Sequence, residues 1–227
     1  MTQLILAVVV FVGGHVLISG TGLRTILVGR IGEKAFLGLF SVFALATLVW
    51  VAMAYRVAPV VPAWEPPASL RWLTFVLVAL AVWLVVAGVM TRNPSSAGQT
   101  DALKAPGAAR GVLAVTRHPV MWGIAAWSIG HLLARGDQAA LIMFGGFAVL
   151  ALAGSLSQER KMLAKYGADW GAFASATSHL PFAAIAAGRA HFRPSEIGWR
   201  SPAVALVVFI AVLAAHPWLF GVSPLPG

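Results

Sequence analysis

Six times along the chain, at residues 2 to 22, 35 to 55, 72 to 91, 118 to 134, 138 to 158 and 203 to 222, a run of apolar residues passes without a single Asp, Glu, Lys or Arg. About 20 such residues cross a bilayer as a helix, because only a helix pairs every backbone N–H and C=O in hydrocarbon. The pattern predicts an all-α membrane bundle of about six transmembrane helices, forming one integral domain over residues 1 to 227. With 59% hydrophobic and 10% charged residues and a mean hydropathy of +0.86, a water-soluble globule is excluded. The first run has no basic residue ahead of it and no small-residue cleavage pattern, so it reads as a retained span.

Charge gives an orientation. Arg24, Arg30, Lys34, Arg92, Lys104, Arg110, Arg117, Arg160, Lys161, Lys165, Arg189, Arg193 and Arg200 fall in alternate loops, whereas the opposite face has only Arg56, Arg71 and Arg135. The positive-inside rule then predicts a multi-pass membrane protein with three basic loops in the cytoplasm and both termini outside. The same rule accounts for the excess of 16 basic over 7 acidic residues, so no nucleic-acid partner is inferred. Cysteine is absent, which excludes disulfides, thiolate ligands and cysteine nucleophiles.

Two loops on the basic face are long. Residues 92 to 117 carry Pro94, Gly98, Pro106 and Gly107 and read as an irregular connector. In residues 159 to 173, Met162, Leu163, Tyr166, Trp170 and Phe173 recur at spacings of three and four, opposite Arg160, Lys161, Lys165 and Asp169. That periodicity predicts an amphipathic helix in the membrane interface, serving as an anchor or as a lid over a cytoplasmic pocket. Gly145, Gly146 and Gly154 mark places where helices can approach closely.

Glu33, Glu65, Asp101, Asp137, Glu159, Asp169 and Glu196 all fall in loops or at helix ends, so no carboxylate stands at mid-membrane. Coupled transporters and proton pumps commonly keep one there, which argues against those classes. The ionisable groups inside the spans are histidines, which are neutral near pH 7 and cheaper to bury. His15 follows Gly13 and Gly14 in the first span, and His131 lies in the fourth with Gly123, Trp127, Gly130 and Ala134 nearby. A lone intramembrane histidine usually bonds one helix to another. Two on separate helices offer a pair of axial ligands for haem iron. Helix rise places His131 about 20 Å and His15 about 14 Å from the basic face.

His118 stands thirteen residues before His131 on the same helix and belongs to another site. With Arg117 it opens that helix ahead of Pro119, at a positive terminus suited either to anchoring or to an anionic group. His179, His191 and His216 read as solvated or capping residues.

The segments GLRTILVGRIGEKAFLGLF, TRHPVMWG, WSIGHLLARGD and SATSHLPFAAIAAGR, followed by EIGWR and HPWLFG, together resemble the NnrU family over nearly the whole chain. That resemblance implies a bacterial multi-pass protein linked by name to nitrite and nitric oxide reduction in denitrification. The family is similar to 15-cis-zeta-carotene isomerases, which use haem b held by two histidines, and by position those ligands correspond to His15 and His131. The partners implied are membrane lipid and a hydrophobic small molecule or nitric oxide. A more remote similarity links RHPxxxG at 117 to 123, Glu159 and YGADW at 166 to 170 to isoprenylcysteine and phospholipid methyltransferases. It implies S-adenosylmethionine framed by Arg117, His118, Glu159 and Tyr166, although Gln158 stands where those enzymes have a second glutamate. A third reading is a maturation factor for denitrification enzymes, without turnover.

Overall fold

A computed structural model describes residues 1 to 96, 99 to 104 and 108 to 225. In chain order the helices are α1 (Thr2–Gly14), α2 (Leu23–Ile31), α3 (Glu33–Arg56), α4 (Ala68–Met90), α5 (Val112–Val115), α6 (Pro119–Arg135), α7 (Gln138–Ala176), α8 (Ala183–Ala186), α9 (Pro194–Ile197) and α10 (Arg200–Phe220). A π-helical turn, His15–Ser19, prolongs α1, and a 3₁₀ turn, Thr100–Lys104, interrupts the connector after α4. Five helices are long and apolar enough to cross a membrane: α1 with its π turn, α3, α4, α7 and α10. The fourth expected span is α6, whose 17 residues give it a length of about 26 Å, at the lower limit for crossing.

Contacts order the bundle laterally as α10, α4, α6, α7, α1, α3. The α4–α6 contact is close because glycine removes the side chain: a Cβ on Gly123 would lie 2.7 Å from Val85 Cγ2 and 2.9 Å from the Ala81 carbonyl. Gly146 plays that part between α7 and α1, where a Cβ would come within 2.6 Å of Val8 Cγ1. Gly145 and Gly154 behave differently, with nothing within 4 Å of a Cβ among the described residues. The core at this crossing joins Leu4, Ala7, Val8 and Phe11 to Val51, Ala140, Met143 and Phe144.

A very tight turn connects α6 to α7. Gly136 closes α6 in the left-handed region (φ 62°), and its carbonyl accepts from the backbones of Ala63 and Trp64. Asp137 then caps α7 by accepting from Ala140 N at 2.8 Å, and its other oxygen pairs with Arg135 Nε at 3.1 Å.

Two expectations about the long loops are refined. The segment 159 to 173 is helical as the end of α7, continuous with the span until Gly167, where the backbone breaks (φ 48°, ψ −117°). Its apolar face is covered by protein only in part: Trp170 and Phe173 pack on Leu84, Ala87, Val112 and Leu113, whereas Leu163 is exposed. The connector 92 to 117 is not irregular throughout, since its last part forms α5 and buries Val112, Leu113, Ala114, Val115 and Thr116. Gly98, Pro106 and Gly107 of that connector lie outside the described residues.

Candidate functional site

His15 opens the π turn. A carbonyl can only accept, so its Nδ1–H donates to the Phe11 carbonyl at 2.6 Å. This fixes the tautomer and leaves the Nε2 lone pair available. Its ring lies 4.4 Å from Phe11, 5.1 Å from Phe40 and 6.1 Å from Phe43, centroid to centroid. His131 repeats the arrangement on α6. Its Nδ1–H donates to the Trp127 carbonyl at 2.8 Å, and its ring stacks on Phe144 at 4.8 Å and packs against Trp127 at 4.9 Å.

The two imidazoles therefore occupy separate aromatic clusters that meet at Phe147, which touches Phe11 at 5.3 Å and Trp127 at 5.9 Å. Each histidine lies four residues beyond its contact with that ring. Because α1 and α6 are the first and fourth of the apolar runs and run in opposite directions, helix rise carries each ring about 6 Å beyond its contact with Phe147, one toward each face, which separates them in depth by more than the sequence positions predict. The donor chemistry suits haem iron, since each ring turns Nδ1 to a backbone carbonyl and leaves Nε2 as the ligand atom. The space between them is occupied by Phe11, Phe147 and Trp127.

Arg117, His118 and Glu159 are brought together where α6 begins and the apolar part of α7 ends. Arg117 Nε donates to Glu159 Oε1 and its Nη2 to Oε2 at 3.1 Å, a two-pronged pair. Its Nη1 serves the Ala174 carbonyl at 3.1 Å and Thr177 Oγ1 at 3.3 Å. His118, only 2% exposed, donates from Nε2 to Glu159 Oε1 at 2.6 Å. The Arg117 carbonyl accepts from Asn93 Nδ2 at 3.1 Å and Ser95 Oγ at 2.8 Å. Burial works to raise the Glu159 pKa, but the hydrogen bonds from His118 and Arg117 and their charges outweigh it and hold the carboxyl at about 2. Glu159 is thus ionised, and together with Ala174 and Thr177 it engages most of the donor capacity of Arg117.

His179 was expected to be solvated or capping, and the structure corrects this. The Ser155 hydroxyl gives its proton to the Leu152 carbonyl at 2.8 Å, so it accepts from His179 Nε2 at 2.8 Å. The His179 carbonyl accepts from Thr116 Oγ1 at 2.8 Å and Trp122 Nε1 at 2.7 Å, and its ring lies 5.3 Å from that of His118. Burial first, then the neighbouring His118, pushes its pKa down. Sequence spacing could not find this residue, because Ser155 and His179 come from segments whose meeting depends on the α7 break. His191 is exposed, and His216 Nδ1 donates to the Val222 carbonyl at 3.0 Å, as a cap does.

Tyr166 packs near Trp170 and Phe173, with Lys165 Nζ 5.2 Å from its ring centroid. Beside Glu159 a groove of about 200 Å³ is lined by Arg160, Leu163, Trp170, Gly171 and Ala174. Small-molecule pockets usually span about 300–1,000 Å³.

Long apolar helices packed side by side, with histidines inside and a basic polar cluster at one end, define a polytopic α-helical membrane protein. The chain belongs to the NnrU protein family, whose profile matches residues 3–224. It is also similar to chloroplastic 15-cis-zeta-carotene isomerases: 32% identical to that of Zea mays over 111 residues, 47% of this chain and 30% of the relative. The corresponding enzyme of Arabidopsis thaliana is 32% identical over 117 residues, 50% of this chain and 32% of the relative. The matched region thus spans about a third of each relative's length. No solved structure matches the chain.

Proposed function

We propose that this NnrU-family protein holds haem b with His15 and His131 as axial ligands, which requires Phe11, Phe147 and Trp127 to part so that the two rings close on one iron. We place it in the cytoplasmic membrane, working on a hydrophobic molecule by redox or isomerase-type chemistry, with nitric oxide as the alternative ligand. The observation that carries the reading is the shared tautomer lock: each Nδ1–H is spent on the carbonyl four residues earlier, so each Nε2 is kept for a metal. Among the described residues no group of three or more His, Cys, Asp or Glu could hold an ion unaided. A metal here would need ligands that the protein lacks, and a porphyrin supplies four. Haem in such a site supplies redox or Lewis-acid chemistry at its iron. The chain's own contribution is to orient the two rings and to surround them with Phe11, Phe40, Phe144 and Phe147, which exclude water. Protein purified in detergent from haem-replete cells is expected to show a Soret band that is lost in His131→Ala and altered in His15→Ala. Colourless protein refutes the assignment.

A second reading rests on the joining of Arg117, His118 and Glu159 beside a groove, and makes the protein an S-adenosylmethionine-dependent methyltransferase acting on a lipid or other hydrophobic substrate. Calorimetric binding of S-adenosylmethionine that is lost in His118→Ala and retained in His15→Ala supports it; absence of binding removes it.

A further inference from the structure

A cavity of about 270 Å³ opens where α4 ends and α10 begins, and it shares no lining residue with His15, His131 or the Arg117 cluster. Its floor is apolar, formed by Ala87 and Leu113, both about 1% exposed. Its lining also includes Arg92, Arg110 and Ser201. Neither guanidinium has a hydrogen bond or an ion pair among the described residues, although four ion pairs form elsewhere. Glu196, the one acid of the lining, has an oxygen engaged by the Gly111 amide at 3.2 Å, which fastens the α5 turn to α9 and builds one wall. Two unpaired guanidiniums and a hydroxyl over a dry floor suit a ligand with a phosphate at one end and hydrocarbon at the other.

We propose that this cavity binds an anionic amphiphile, a phosphate-bearing lipid of the leaflet on the basic face, with Arg92 and Arg110 on the phosphate and Ala87 and Leu113 against the first carbons of the tail. A lipid suits the position better than a free anion, because the cavity lies where the apolar helices α4 and α10 end and begin and its floor offers no polar partner. The site is independent of the proposed haem ligation.

The test is native mass spectrometry of the full chain released from nanodiscs containing equal dioleoylphosphatidylglycerol and dioleoylphosphatidylcholine. The wild type is expected to retain phosphatidylglycerol in preference to phosphatidylcholine. Arg92→Gln/Arg110→Gln should lower that preference about thirtyfold. Arg30→Gln/Lys34→Gln, which removes equal charge from the basic face away from the cavity, should leave it in place. Equal retention of the two lipids by the wild type overturns the proposal, as does an equal loss in both variants, which would mean a diffuse attraction to the face. A second arm measures thermal protection by inorganic phosphate. Protection as strong as that from the lipid, and dependent on Arg92 and Arg110, assigns the cavity to a soluble phosphate and overturns the lipid as its source.

Discussion

His118 Nε2 lies 2.6 Å from Glu159 Oε1, and the same carboxylate is held from its other side by the guanidinium of Arg117. Two consecutive residues at the start of α6 thereby grip one residue of α7, so the helices are fixed in register at this end by charge. The remaining Arg117 donor contacts, to Ala174 and Thr177, extend that grip to the segment beyond the α7 break.

Substituting Glu159→Gln leaves the largely buried guanidinium of Arg117 without a counter-charge. A loss of about 3 kcal/mol is expected, read as a lower thermal unfolding midpoint in detergent. The cost falls at the low end of what buried pairs show, because the Glu159 side chain is 20% exposed. Glu159→Asp should recover part of it; an unchanged midpoint in both variants would show that the cluster does not hold the helices.

Acid should destabilise the protein in two windows. His179 has a folded pKa below its ordinary 6.5, so the stability it contributes is present above that value and lost as pH falls below it. Glu159 is lowered from 4.5 to about 2, so its contribution is complete above 4.5 and disappears as pH falls toward 2. Urea midpoints measured across pH should show both declines. Glu159→Gln should flatten only the lower window and His179→Asn only the upper.

Trp170 is 1% exposed and fills the space between the end of α7 and the α4–α5 wall. Trp170→Ala should cost about 3–5 kcal/mol through the cavity it leaves. Leu163→Ala, seven residues earlier and 57% exposed, should change unfolding by less than about 0.5 kcal/mol in water-like detergent conditions. Equal effects would mean that the two arms of α7 are not packed as described.

Gly123→Ala places a methyl 2.7 Å from Val85 Cγ2 and 2.9 Å from the Ala81 carbonyl, and a backbone atom cannot swing aside. About 1–3 kcal/mol of destabilisation is expected from this overpacking. Gly145→Ala meets nothing within 4 Å and should be neutral or slightly stabilising in the same melting assay.

Much of the architecture was legible in the sequence. Charge-free runs marked the spans because burial of a charge in hydrocarbon is costly, and five of the six expected spans appear as helices that meet the length and hydropathy needed to cross. The methyltransferase resemblance named Arg117, His118, Glu159 and Tyr166 together, and hydrogen bonds join the first three in the structure. The amphipathic period of 159 to 173 indicated a helix but not what covers its apolar face, since a stripe packed on protein and one lying on lipid have the same spacing. Val112–Val115 went unnoticed because four apolar residues are too few to carry a period. His179 was missed for a different reason: its ring partner Ser155 and its carbonyl partner Trp122 are 24 and 57 residues away.

The brevity of α6 bears on how the protein is assembled. Its 17 residues include Ser128, His131 and two glycines, and it lacks the length and apolarity of the five stronger spans. Gly136 and Asp137 close it directly onto α7. Left to itself against lipid, α6 would expose those groups and gain little from partitioning; seated between α4 and α7, it hides them. Its entry into the bilayer is consequently escorted, as one arm of a hairpin whose other arm supplies the hydrophobic drive, and weakening the two-residue corner should impair biogenesis before it alters the mature bundle.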